Sequence, residues 1–331
     1  MTSSDSPFAP STRGDKQWPS RVPGEPTVVV DQCSKWYGQV LGISEVTWQA
    51  GAGIVGLLGP NGAGKSTLIK LMAGLLAPSR GTLTVFGQSP HRSAATRARI
   101  GYCPEHEGMY DELTALEMIT VMAELSGIDR RSARAAAAAA LAEMGLDHAK
   151  HRRLTGFSKG MRQRTKLAQC LVHDPDVLLL DEPLTGVDPV ARAEITEHVR
   201  RIASAGKTVI LSSHVLHEIE ALTETIVVIH RGQVLAEGNM YRIRELIDQH
   251  PHCIRVECDR SRDLAADLAA AEHVRRLGFE DGAVIVETSD PDACYDLIAD
   301  LVVARGIEVG SLTSPDNNLG AVFDYLTRSS T

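Results

Sequence analysis

Residues 59–67 read GPNGAGKST, which fits the pattern G-x-x-x-x-G-K-[ST] with Gly59, Gly64, Lys65 and Ser66 at the fixed positions. Upstream lies GIVGLLG (53–59), a short apolar run whose length and flanking glycines predict a buried strand. Downstream lies STLIKLMAGLL (66–76), with apolar residues at helical spacing. The glycines therefore sit between a strand and a helix, the context in which this motif cradles phosphates. Gly62 and Gly64 permit positive φ, so that successive backbone N–H groups can line one concavity. The helix N-terminus adds free donors and partial positive charge. Lys65 is placed to reach β- and γ-phosphates, and the Ser66 hydroxyl to ligate Mg²⁺. The expected nucleotide-binding stretch is the whole loop: Gly59, Pro60, Asn61, Gly62, Ala63, Gly64, Lys65, Ser66 and Thr67.

The chain has 331 residues, of which 43% are hydrophobic and 23% charged, the profile of a globular protein with room for one large domain and a smaller one. Its net charge of −8 argues against a nucleic-acid partner, whose usual footprint is basic. No apolar run approaches the roughly 18 residues of a membrane span. The first 26 residues lack an apolar h-region, so no signal peptide is expected; their Ser, Pro and Gly content predicts a disordered tail over 1–26. Six cysteines (33, 103, 170, 253, 258 and 294) form no C-x-x-C pair and read as reduced thiols. HVLHE (214–218) has neither zincin spacing, so no metal is expected there.

A second strand is expected in DVLLLDEP (176–183), where four consecutive apolar residues suggest burial on both faces, as in a parallel sheet. It ends in Asp181 and Glu182, where open α/β sheets bind ligands. Asp181 is a candidate Mg²⁺ ligand and Glu182 a candidate general base for water. A third strand, KTVILSSH (207–214), ends at the same edge in His214, a candidate γ-phosphate contact. Between these, TGFSKGMRQRTKLAQCL (155–171) reads as a Ser-x-Gly turn opening a helix, a second anion-binding device.

Together these pieces resemble an ABC transporter ATPase, a P-loop NTPase with an antiparallel β-subdomain and a helical subdomain. GPNGAGKST resembles Walker A and LLLDEP Walker B, with Glu182 catalytic. FSKGM (157–161) resembles the family signature LSGGQ, LTGVDP (184–189) the D-loop with Asp188, SSH the switch loop with His214, and Tyr37 in KWYG the aromatic that stacks on adenine. The resemblance covers about residues 27–240, with a helical subdomain over about 105–172. Two departures stand out. Lys159 and Met161 replace Gly and Gln in the signature, leaving Ser158 and Gly160 in place. The Q-loop position in IGYCPEHEG (100–108) is Glu105 rather than Gln, with Glu107 as a neighbouring alternative. Both are similar to the ABC-type-two group, in which an ATPase subunit pairs with a separate multi-span export permease. A carboxylate at 105 can still offer oxygen to Mg²⁺ or to the lytic water.

The resemblance implies two ATPase subunits, alike or different, meeting head to tail, so that Ser158, Lys159, Gly160 and Met161 of one face the ATP of the other. It implies ATP and Mg²⁺ as ligands, hydrolysis aided by Lys65, Glu182, His214 and Glu105, and a peripheral position on the cytoplasmic face of the membrane. The segment 109–146 reads as two helices of the subdomain that docks the permease. The alternatives are a catalytically dead nucleotide-sensing regulator, against which the intact Lys65, Asp181, Glu182 and His214 argue, and a soluble ATPase working on DNA or the ribosome. The interval from Lys65 to Ser158 carries no sustained heptads, and the chain has one Walker A loop, which argue against the soluble ATPase. Beyond residue 240, a short helix (240–249), a β-α-β-α-β alternation from 252 to 314 and a last helix (319–328) suggest a small accessory α/β domain over 241–331, the ferredoxin-like arrangement being one form of it.

Overall fold

The computed structural model describes residues 25–106, 108–239 and 252–314. The N-terminal tail, the helices expected at 240–249 and 319–328, and Glu107 lie outside the described residues. The first part of the chain runs β1 (Val28–Tyr37), β2 (Val40–Ala50), β3 (Gly53–Leu58), α1 (Lys65–Met72), β4 (Arg80–Val85), α2 (Ala94–Arg97) and β5 (Ile100–Cys103). It continues through α3 (Ala115–Leu125), α4 (Arg130–Glu143), α5 (Lys159–Leu171), β6 (Val177–Leu180), α6 (Pro189–Ser204), β7 (Thr208–Ser213), α7 (Leu216–Glu220), β8 (Thr225–His230) and β9 (Gln233–Asn239).

Two sheets organise this part. One is antiparallel, in the order β2-β1-β4. The other has six strands in the order β5-β6-β7-β3-β8-β9; β5 to β8 are mutually parallel and β9 returns antiparallel beside β8. The β8–β9 turn carries Arg231 and Gly232, both at positive φ, as a tight hairpin turn requires.

The apolar run of β6 is explained by burial on both faces. Val177 and Leu179 join a core shared with α1 and the three-stranded sheet, through Leu68, Ile69, Met72, Val28 and Trp48. Leu178 and Leu180 join a second core with Met118, Ile119, Ala137, Leu141 and Leu167 of the helical layer. Strand β7 divides in the same way, Ile210 to the first core, Val209 and Leu211 to the second.

The helical layer has strong local stops and starts. Thr114 and Glu117 form a reciprocal capping box at the start of α3, and Asp129 caps α4. The alanines of α4 let it lie close on α3, with Ala133, Ala137 and Ala140 buried.

After residue 251 the elements are β10 (His252–Cys258), the Ser261–Leu268 helix, β11 (Val274–Glu280), β12 (Ala283–Thr288), the Pro291–Arg305 helix and β13 (Val309–Thr313). The order is β-α-β-β-α-β, and the antiparallel sheet runs β11-β12-β10-β13, which is the ferredoxin-like arrangement. The expected alternation lacked β11. Its sequence, VRRLGFE, breaks the apolar pattern with paired arginines and a glycine.

Candidate active site

Four strand ends of the parallel sheet deliver the expected residues to one edge. β3 runs into the 59–67 loop, β5 toward Glu105, β6 into Asp181 and Glu182, and β7 into His214. The Gly59 N–H donates to the Ser213 carbonyl (3.3 Å), which ties the start of the loop to the end of β7. At the other end of the loop, Gly64 has φ 109°, and a Cβ there would stand 2.7 Å from the Gly42 carbonyl. The turn into α1 thus requires glycine on two counts. The Gly232 N–H donates to the Ala63 carbonyl (2.8 Å), so the β8–β9 turn braces the loop from behind.

Lys65, the first residue of α1, is buried. Its ammonium donates to the Gly59 carbonyl (2.7 Å) and the Pro60 carbonyl (3.2 Å), and lies 3.2 Å from Glu182 Oε1. The Ser66 hydroxyl donates to Asp181 Oδ1 (3.0 Å), and the Ser212 hydroxyl donates to the same oxygen (2.8 Å). Ser212 Oγ in turn accepts the Glu182 N–H (2.9 Å), so a single hydroxyl orients both acids of β6.

Glu182 has φ 51°, a left-handed backbone that a non-glycine residue adopts at a cost. Its Oε2 accepts from the Thr185 hydroxyl (3.0 Å) and pairs with His214 Nδ1 (2.9 Å). A carboxylate oxygen is an acceptor, so His214 carries its proton on Nδ1. Burial pushes the Glu182 carboxyl up, but the charge of Lys65 and the His214 hydrogen bond together outweigh it, and its pKa lies below the ordinary 4.5. The group is therefore ionised at neutral pH. The His214 side chain is 38% exposed, so its far edge opens outward from the cluster.

Tyr37 stands beside the same loop, half exposed, its hydroxyl 3.4 Å from Thr67 Oγ1. A face of an aromatic ring next to the start of α1 is suited to stacking on a base.

The remaining expected residues lie elsewhere. Ser158 caps α5 by accepting the Met161 N–H (3.2 Å) and is exposed. Lys159 is also exposed, and Met161 packs on the helical core. Gly160 lets α5 lie close on α6: a Cβ there would stand 2.5 Å from Ala191 Cβ and 3.6 Å from Asp188 Oδ2. Asp188 caps α6 through Val190 N (3.1 Å) and Ala191 N (3.0 Å). The Glu105 carboxylate joins none of the cluster's hydrogen bonds among the described residues. It is half exposed, 3.9 Å from His106 Nδ1, while its backbone carbonyl accepts from Lys166 Nζ (3.0 Å).

Three contributors were not singled out from the sequence. Ser212 and Thr185 hold the two acids, and Glu218 holds Ser213.

The ABC transporter family profile matches residues 44–185. The Nod factor export ATP-binding protein I of Rhizobium meliloti (strain 1021) is 34% identical over 276 residues, covering 82% of each chain. The daunorubicin/doxorubicin resistance ATP-binding protein DrrA of Streptomyces peucetius is 36% identical over 287 residues, covering 83% of this chain and 84% of that one. Among solved structures, an ATP-binding subunit of an ABC transporter superposes with a TM-score of 0.60 at 30% identity, covering 66% of this chain and 92% of that one. A dimeric ATP-binding cassette in a post-hydrolysis state with ADP and Pi shares the fold, with a TM-score of 0.58 at 22% identity over 64% of this chain and 98% of that one. The chain belongs to the ABC transporter family, as an ATP-binding subunit with the ATPase cassette.

Proposed function

We propose that this subunit hydrolyses Mg-ATP in a head-to-tail dimer with a second ATPase subunit and drives export through a separate transmembrane permease. The carrying observation is the convergence of Lys65, Ser66, Asp181, Glu182, Ser212 and His214 at one edge of the parallel sheet. Export is supported by relatives named for Nod factor export and for drug resistance. Among the described residues, no helix is long and apolar enough to cross a membrane, which fits a subunit held at the membrane by a partner.

The residues suit the ligands. Ser66 Oγ and Asp181 Oδ1, 3.0 Å apart, are hard oxygen donors of the kind Mg²⁺ takes, alongside phosphate and water. When bound, Mg²⁺ neutralises charge on the β- and γ-phosphate oxygens. The loop N–H groups and Lys65 bind the phosphates, and Tyr37 orients the base. Glu182, ionised and held by Thr185 and His214, accepts a hydrogen bond from the attacking water and so aligns it with the γ-phosphorus. His214 keeps Nδ1 on Glu182 and leaves Nε2 to face the γ-phosphate. The exposed Ser158 and the α5 N-terminus face the partner subunit's nucleotide. Lys159 adds positive charge there, Met161 supports the turn from the core side, and Asp188 spans between the two sites. Glu105 stands between this edge and α3 and α4, where the permease docks, and its carboxylate is an oxygen donor of the kind Mg²⁺ or water would take.

The test is Glu182→Gln in the full chain. It should bind MgATP normally and lose turnover, and pull-down of the parent protein from its native membranes should bring a multi-span protein. Normal turnover in the variant would remove Glu182 from its role. Ribosomal or nucleic-acid partners without a membrane protein would replace the transporter reading with a soluble ATPase.

A further inference from the structure

We propose that Glu218 is a positioning residue for turnover, acting through Ser213 on the loop that carries His214 and linking that loop to α6 through Arg192. The inference rests on the site reading above and adds to it a residue outside the loop, the acids and the switch histidine.

Glu218 is 4% exposed, in the α7 turn that follows His214. Buried carboxylates are rare without partners. Its Oε2 accepts the Ser213 hydroxyl proton at 2.7 Å, and its Oε1 lies 3.5 Å from Arg192 Nη2. Ser213 Oγ also accepts the Val215 N–H (3.0 Å), and the Ser213 carbonyl accepts the Gly59 N–H (3.3 Å). The residues on both sides of His214 are thus fastened to one hydroxyl, whose rotamer Glu218 sets by accepting its proton. With the proton committed to Glu218, the Ser213 lone pairs face Val215, and the backbone between them is held at the position that puts His214 Nδ1 2.9 Å from Glu182.

The second arm runs through α6. Arg192 sits one turn beyond Asp188, its own N–H donating to the Asp188 carbonyl (2.9 Å). The same first turn of α6 carries Ala191, against which Gly160 of α5 packs. Glu218 therefore contacts both the switch loop and the helix capped by Asp188. A displacement at Asp188 or Gly160 reaches His214 by way of Arg192, Glu218 and Ser213. The links are the Asp188–Arg192 backbone hydrogen bond, the Arg192–Glu218 ion pair and the Ser213–Glu218 hydrogen bond, with Gly160 joining through its packing on Ala191.

The experiment compares steady-state ATP hydrolysis and MgATP affinity in the full-length protein for Glu218→Ala, Glu218→Gln and Ser213→Ala, alone and combined with His214→Ala. Misplacing a catalytic group by about 1 Å can cost about 100-fold in turnover, and a partial displacement correspondingly less. The expected result is a kcat at least about tenfold lower for Glu218→Ala, with MgATP affinity held within about threefold. Glu218→Gln, whose amide oxygen still accepts from Ser213, recovers most of the loss. In the His214→Ala background the same changes add little, because they act through the missing ring. Ser213→Ala, a smaller change that leaves the buried acid paired with Arg192, tests the same link should Glu218→Ala fail to fold. Unchanged kcat in Glu218→Ala or Ser213→Ala, losses that multiply fully with His214→Ala, or loss of nucleotide affinity in step with kcat would each overturn the proposal. Unchanged turnover in His214→Ala alone would instead overturn the reading of the switch histidine.

Discussion

The six-stranded sheet and the four-stranded sheet of the C-terminal unit both pack against helices, yet they deliver their strand ends in different ways. In the first, β3, β5, β6 and β7 are parallel, so all their C-terminal ends fall on one edge. That edge collects the 59–67 loop, Asp181, Glu182 and His214 within hydrogen-bonding reach. In the second, every neighbour is antiparallel, so strand ends alternate between two edges and no four ends can pool their residues. The cores differ in the same sense. β6 is buried on both faces, whereas β10 and β12 send Ile254, Val256, Val284 and Val286 to one core and turn Ile285 and members of polar pairs to the other face. Those pairs are Arg255 with Glu257 and Arg276 with Glu287. Parallel topology concentrates chemistry; antiparallel topology distributes it.

The largest effect that could sharpen this contrast is chemical. Glu182→Gln keeps the shape of the edge and removes the ionised acceptor, so kcat should fall by about 100-fold or more, measured by phosphate release at saturating MgATP. A second prediction attacks stability on the other side. Ile254→Ala opens a hole in the C-terminal core and should cost that unit about 2–5 kcal/mol, seen by calorimetry, while kcat per folded molecule stays within about twofold. Loss of turnover in proportion to unfolding of that unit would break the separation drawn here. Smaller still is Thr185→Val, which deletes one of two donors to Glu182 Oε2. A lost hydrogen bond of this kind costs about 1 kcal/mol, and kcat should fall by about fivefold with little change in melting temperature. A drop as deep as that of Glu182→Gln would instead assign Thr185 a role beyond orientation. The smallest change expected is from Arg276→Ala. It removes a solvent-exposed ion pair worth about 0–1 kcal/mol, and neither melting nor turnover should move measurably.

Much of the site was legible because it is local. The 59–67 loop announces its conformation through glycines at fixed spacing, and D-E at the end of an apolar run announces a buried strand that stops at an edge. The two helices of 109–146 could be read from their Ala, Leu and Met faces, and both are present as α3 and α4. β11 was missed although Asp281 and Gly282, both at positive φ, make the tight turn that pairs it with β12. An Asp-Gly pair is a strong hairpin signal, but Arg275, Arg276 and Gly278 hid the strand before it.

What the sequence by itself determined is which residues are candidates for the site, namely the 59–67 loop, Asp181, Glu182 and His214, and with them the family, because each lies in a short segment whose pattern of glycines, apolar residues and acids is local. What only the tertiary structure decided is how they are held: Ser212 across both acids of β6, Lys65 against Glu182, Gly160 against Ala191, and Glu218 between Ser213 and Arg192. These contacts join residues that the sheet order brings together, and the order of strands in a sheet is a property of the whole fold rather than of any stretch of the chain.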